Sequence, residues 1–156
     1  MATSEKTLMK VGTYIESHYG DWINDPGCHL TERHVNLSDT DLEERLKYKN
    51  MVSTFLGEPE TIQEFVKDSL FSSVEDIVDW LFRSKGKNCL YVSGELPSYI
   101  SGKAMDRSGM PYTCFGYCIC LQKEVFEKEG KKRLRFRLKS AWPEFQVRSK
   151  PTSVRD

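Results

Sequence analysis

Apolar residues in the first half of the chain recur every three to four positions. Ile62, Phe65, Val66 and Leu70 form one stripe, and Val74, Ile77, Val78 and Leu81 form another. That spacing places side chains on one face of a helix, where they serve as core. Leu42 and Leu46 follow Ser38 at helical spacing, and Ser38 with Asp41 predicts a capping box. Gly57-Glu58-Pro59 predicts a loop that opens the next helix. Ser72 with Glu75 predicts the cap of a third, running out near Lys85-Gly86. The period then changes. Cys89 to Val92 reads as a strand, Gly94 to Met110 as a Gly/Ser/Pro-rich loop, and Tyr112 to Leu121 as a run of strand formers. From Arg133 to Leu138 basic and apolar residues alternate strictly, as on a half-buried strand, with Lys128-Glu129-Gly130 as a hairpin turn before it. N-terminal helices packed on a C-terminal antiparallel sheet define an α+β fold. We expect a single domain over residues 1–150 and a flexible tail at 151–156.

Composition narrows the function. The chain has 156 residues, 38% hydrophobic and 29% charged, as a soluble globular domain does. No apolar run is long enough to span a membrane, and MATSEKTLMKVGTY lacks a secretory h-region. The expectation is a monomer without a membrane partner, acting in the cytoplasm; the initiating Met1 suggests a free-standing chain. Twenty-three basic residues balance 23 acidic ones, so any nucleic-acid site has to be local. Lys131 to Lys139 supplies six basic residues and no acid, with Arg133, Arg135, Arg137 and Lys139 on one side of the strand. Such a row suits a phosphate backbone, or else keeps a sheet face from pairing with another edge. Ser140 and Trp142 carry the opposite parity, so a bend or bulge is needed to bring both to a ligand.

Five cysteines, an odd number, are expected to be reduced. Cys114, Cys118 and Cys120 lack the second ligand pair of a zinc site, and no metal or cofactor is expected. Proton chemistry near neutral pH falls to His18, His29 and His34. His29 and His34 would lie roughly 140° apart on a continuous helix, so they share a cleft only if the helix starts or bends between them. Arg45, eleven residues after His34, would return to within roughly 20° of the same face. It could equally pair with Asp41 or Glu44 on a solvated surface.

The run His29-Leu-Thr-Glu-Arg-His34-Val35, followed by Ser38-Asp39-x-Asp41-Leu42-x-x-Arg45-Leu46, resembles the opening of the bacterial pancreatic-ribonuclease-like (RNase A-like) toxin domain. That domain is found at the C-terminus of contact-dependent growth-inhibition effectors. Ser53-Thr54-Phe55, the Ile77 to Leu81 helix and Leu138-Lys-Ser140-Ala-Trp142-Pro143 follow in the family's order, so the resemblance spans roughly Cys28 to Phe145. It implies a kidney-shaped ribonuclease fold without disulfides and a metal-independent endoribonuclease cleaving RNA, tRNA among the candidates. It also implies a cognate immunity protein. The family's catalytic histidine corresponds to His34 and its helix arginine to Arg45. Its threonine and tyrosine correspond to Ser140 and Trp142, and its glycine after His-Val to Asn36. Tryptophan has no phenol to exchange a proton, which puts turnover in question.

On this reading the 2′-hydroxyl attacks phosphorus, His34 transfers a proton and Arg45 holds the phosphate. Ser140 hydrogen-bonds phosphate or base, Trp142 stacks on a base, and His29 is the reserve for the second proton transfer. Arg133, Arg135, Arg137 and Lys139 would bind RNA. The alternative is a catalytically weak or inactive module that binds RNA or a partner on the same fold. A toxin transferring ADP-ribose is a third reading, but no nicotinamide-site motif accompanies it.

Overall fold

Val11, Ile15, Tyr19 and Trp22 recur at helical intervals, and the Ser4 hydroxyl accepts the Thr7 amide; Glu5–Asn24 accordingly forms helix α1 with those four residues buried. The computed structural model describes the backbone of residues 4–84, 86–148 and 152–155, with the side chains of all but 31, 32 and 152–155. Helices α2 (Leu30–His34) and α3 (Asp39–Arg45) are short, and α3 carries the expected Ser38–Asp41 capping box. Strand β1 (Met51–Leu56) follows, then helices α4 (Pro59–Ser72) and α5 (Val74–Arg83). The remainder is β2 (Cys89–Glu95), β3 (Ser101–Asp106), β4 (Pro111–Thr113), β5 (Gly116–Lys128), β6 (Lys131–Glu144) and β7 (Thr152–Arg155).

Two antiparallel sheets result, ordered β1-β3-β4 and β6-β5-β2-β7. The α+β expectation holds, with four local corrections. Strand β1 interrupts the helical half, because Val52 to Phe55 is a continuous buried run and not a one-face stripe. The expected loop from Gly94 to Met110 contains β3, whose Gly102 lies so close to β6 that a Cβ there would meet Pro143 at 2.5 Å. Ser72 is the last residue of α4, with its hydroxyl donating to Asp68 O, and Ser73 precedes α5 instead. Residues 152–155, expected in a flexible tail, form β7 on the otherwise open edge of β2, where ladder groups would lack partners. Pro151 and Asp156 lie outside the described residues.

The main core fills the space between one face of the long sheet and α1, α4 and α5. Ile15, Leu70, Ile77, Trp80, Leu90, Ile119, Leu121 and Leu138 are fully enclosed there. Each such aliphatic side chain contributes about 1.5–3 kcal/mol on leaving water. A smaller cluster of Leu42, Leu46, Val52 and Met105 fastens α3 to the short sheet. At the β5–β6 hairpin, Glu129 and Gly130 both have positive φ, 54° and 75°, the geometry of a tight two-residue turn whose twist matches the flanking strands.

Candidate active site

One irregularity in β6 governs the site. Cys120 pairs with Ser140 but Leu121 pairs with Leu138, so Lys139 is an extra residue in a β-bulge. Before the bulge Phe136 and Leu138 face the core; after it Ala141 does. Ser140 and Trp142 are thereby turned to the opposite face, which is the shift that the sequence parity required. The carbonyl of Lys139 accepts the His29 amide at 2.9 Å, docking the start of α2 against the bulge.

His29 is the residue before α2 and is not itself helical (φ −101°, ψ 8°). The helix therefore starts between the two histidines, and both line one cleft of about 710 Å³. The chain after His34 leaves the helix. Val35 bridges to Phe55, and Asn36 adopts φ 53°, a left-handed conformation that asparagine tolerates better than most residues. Its side chain exchanges two hydrogen bonds with Gly57, donating to the carbonyl at 2.7 Å and accepting the amide at 3.0 Å. Asparagine thus does here what a glycine would do, and adds a tie to the end of β1.

His34 Nδ1 lies 3.2 Å from the Ser53 carbonyl oxygen. A carbonyl only accepts, so Nδ1 carries the proton and Nε2 keeps its lone pair. Burial pushes the imidazole pKa down to about 4; the Ser53 hydrogen bond opposes that fall, and the charges of Arg45, Lys49 and Arg33 add to it. At pH 7 the ring is neutral. Arg45, at the end of α3, donates to the Arg33 carbonyl at 2.7 Å, reaching back to the helix that carries His34. The carboxylate of Glu44 goes to Lys47 instead, at 2.9 Å.

Trp142 stands 5.9 Å from His34 and 6.4 Å from Tyr91 between ring centroids. It lines the cleft beside His34. Ser140 is 7% exposed, and its hydroxyl has no hydrogen-bond partner among the described residues. A buried hydroxyl without a partner costs free energy that a ligand can recover.

His29, His34, Arg45, Ser140 and Trp142 are therefore brought together. Arg133, Arg135, Arg137 and Lys139 do not line the cleft. Arg135 and Arg137 donate to Glu124 at 2.8 and 3.2 Å, and Arg137 also to Gln122 at 3.2 Å. Sequence reasoning missed Arg33 and Lys49 in the lining. Lys49 was detectable, since it follows Arg45 by four residues at the end of a helix. The Ser53 carbonyl left no signal, because any residue there would offer one. Among the described lining residues, the cations Arg33, Arg45, Lys49 and Arg148 are accompanied by one carboxylate, Glu144, which Arg148 grips at 2.8 and 3.2 Å.

Fold and cleft together define a small α+β domain with an anion-seeking pocket built around a neutral histidine. The model of the bacterial CdiA-CT RNAse A domain matches residues 28–143, and the chain belongs to that family, which makes ribonuclease toxin its functional class. Among solved structures it is similar to a CdiA-CT/CdiI complex from Y. kristensenii 33638, with TM-score 0.59 and 19% identity over 74% of this chain and 97% of the other. No curated protein matches the sequence.

Proposed function

We propose that the protein is an endoribonuclease that needs no metal and cleaves RNA by attack of a 2′-hydroxyl on the adjacent phosphorus. The observation that carries this reading is the convergence in one cleft of a neutral histidine, of Arg33, Arg45 and Lys49 without a carboxylate partner among the described residues, and of the Ser140 hydroxyl, likewise without a partner there. His34 Nε2 is free to take the 2′-hydroxyl proton, because Nδ1 is committed to Ser53. Arg45, with Arg33, offsets charge as the phosphorane forms. The Ser140 hydroxyl would bond a phosphate oxygen or base edge, and Trp142 would provide a flat surface for a base. Bound phosphate would also cancel part of the cationic field on His34, raising its pKa toward the range where a base is most effective.

The test is incubation of the purified protein with RNA in excess EDTA. Cleavage should persist at its full rate; cleavage lost in EDTA and restored by magnesium or zinc would contradict the reading. A binding module is the second reading, favoured by Trp142, whose indole cannot exchange protons where it packs against His34. It predicts RNA retention without cutting. The similar structure was solved with CdiI, which supports the proposal that this chain also meets a cognate immunity protein. The cytoplasm, where RNA is available, is the proposed site of action.

A further inference from the structure

The transphosphorylation proposed above needs two proton transfers, and His34 supplies one. Breaking the bond from phosphorus to the 5′-oxygen leaves an alkoxide that must be protonated. We infer that Lys49, at the mouth of the cleft, is the general acid that protonates the departing 5′-oxygen; this rests on the ribonuclease reading. Besides His34, the described lining side chains that carry an ionisable group other than a guanidinium are His29, Lys49 and Glu144. Glu144 is an acceptor held by Arg148. His29 stands where α2 begins, with its Nδ1 buried and its amide fixed to Lys139. Arginines do not give up a proton.

Lys49 meets the requirement. Its ammonium group has no carboxylate partner among the described residues, and its side chain is exposed on the cleft wall. Its backbone is fixed at both ends: the amide donates to the Arg45 carbonyl at 3.1 Å, and the carbonyl accepts from Arg107 Nε at 3.3 Å. Partial burial, then the neighbouring guanidinium groups of Arg45 and Arg33, lower its affinity for the proton. The same field joins Lys49 to His34, whose imidazole feels the Lys49 charge. In the step itself, the 2′-oxygen loses its proton to His34 Nε2 and bonds to phosphorus. The P–O5′ bond breaks, and Lys49 Nζ delivers its proton to that oxygen. The products are a 2′,3′-cyclic phosphate and a 5′-hydroxyl, after which His34 returns its proton to water and Lys49 regains one.

The experiment compares two RNA dinucleotides, one with the natural 5′-oxygen and one with sulfur in its place. A thiolate leaves without being protonated. Lys49→Met should cut the natural substrate about a hundredfold to ten-thousandfold more slowly but the sulfur substrate within about tenfold of wild type. Lys49→Arg should not restore the natural rate, and His34→Ala should impair both substrates. Equal losses on both substrates in Lys49→Met, or full rescue by arginine, would reduce Lys49 to a phosphate-binding charge and overturn the inference. So would an unchanged natural rate, or the leaving-group pattern appearing in His29→Ala instead. A wild-type protein that cleaves neither substrate would overturn the ribonuclease reading itself, and this inference with it.

Discussion

Ser140 and His34 separate structure from chemistry within one cleft. The Ser140 hydroxyl is buried and makes no hydrogen bond among the described residues, so the fold gains nothing from it. Ser140→Ala should leave the melting temperature unchanged or raise it slightly, while kcat/KM for RNA falls at least about tenfold, as expected for a lost hydrogen bond to substrate. A variant that melts lower without losing activity would make the hydroxyl structural. For His34, alanine should slow cleavage about a hundredfold to ten-thousandfold with little loss of RNA affinity, since Arg33, Arg45 and Lys49 remain. His18→Ala, on α1 against Tyr14 and away from the cleft, is the control. The pH profile adds a sharper criterion. With its pKa near 4 in the free protein, His34 should place the acid limb of kcat/KM well below that of an ordinary histidine. The limb of kcat should lie higher, because bound phosphate opposes the cations. Coincident limbs near 6.5, the usual histidine value, would contradict the combined effect of burial and of the Arg45, Lys49 and Arg33 charges on His34.

At the scale of elements, the bulge at Lys139 links two features that sequence reasoning had treated separately. Gln122 opposes Arg137 and Cys120 opposes Ser140. Since Cys120 and Gln122 share a face of β5, the arginine row lies on the same sheet face as Ser140 and Trp142. The row could thus extend the cleft, but Glu124 already occupies Arg135 and Arg137. Replacing Arg133, Arg135 and Arg137 together with glutamine should flatten the salt dependence of RNA binding by less than three phosphate contacts, each worth about 0.7 in slope for a single strand. Glu124→Gln should steepen it by releasing two cations. If neither substitution moves the slope, the row is a solvated face. What was legible in the sequence follows the same division. The stripes on α4 and α5, the Ser38 cap and the Glu129-Gly130 turn are local, and local spacing found them. Strands β1 and β3 escaped notice because one buries Val52, Ser53, Thr54 and Phe55 in succession without a polar–apolar alternation, and the other carries Gly102 for a distant contact with Pro143. Arg45 reaches the His34 helix, though not along the continuous helix that its spacing suggested. The chain turns at Val35 and Asn36, and a long side chain bridges the gap.

For the molecule as a whole, site and stability are coupled through protons. His34 titrates near 4 when folded and near 6.5 when unfolded. Between those values the unfolded chain binds more protons, so stability is present above about pH 6.5 and is lost as pH falls toward 4. The lost contribution is on the order of 3 kcal/mol at most. Chemical denaturation at pH 7.5 and pH 4.5 should show it, and the loss should shrink in His34→Ala. Equal losses in the two proteins would assign the acid sensitivity to other groups. The central claim, however, concerns the reaction, and the ends of the cleaved RNA report on it directly. In EDTA, the wild-type protein should leave a 2′,3′-cyclic phosphate on one fragment and a 5′-hydroxyl on the other. A 2′-O-methyl group at the cleaved nucleotide should block the cut. A 5′-phosphate on the product, or cleavage that continues past the methylated position, would show that the 2′-hydroxyl is not the nucleophile and would contradict the account.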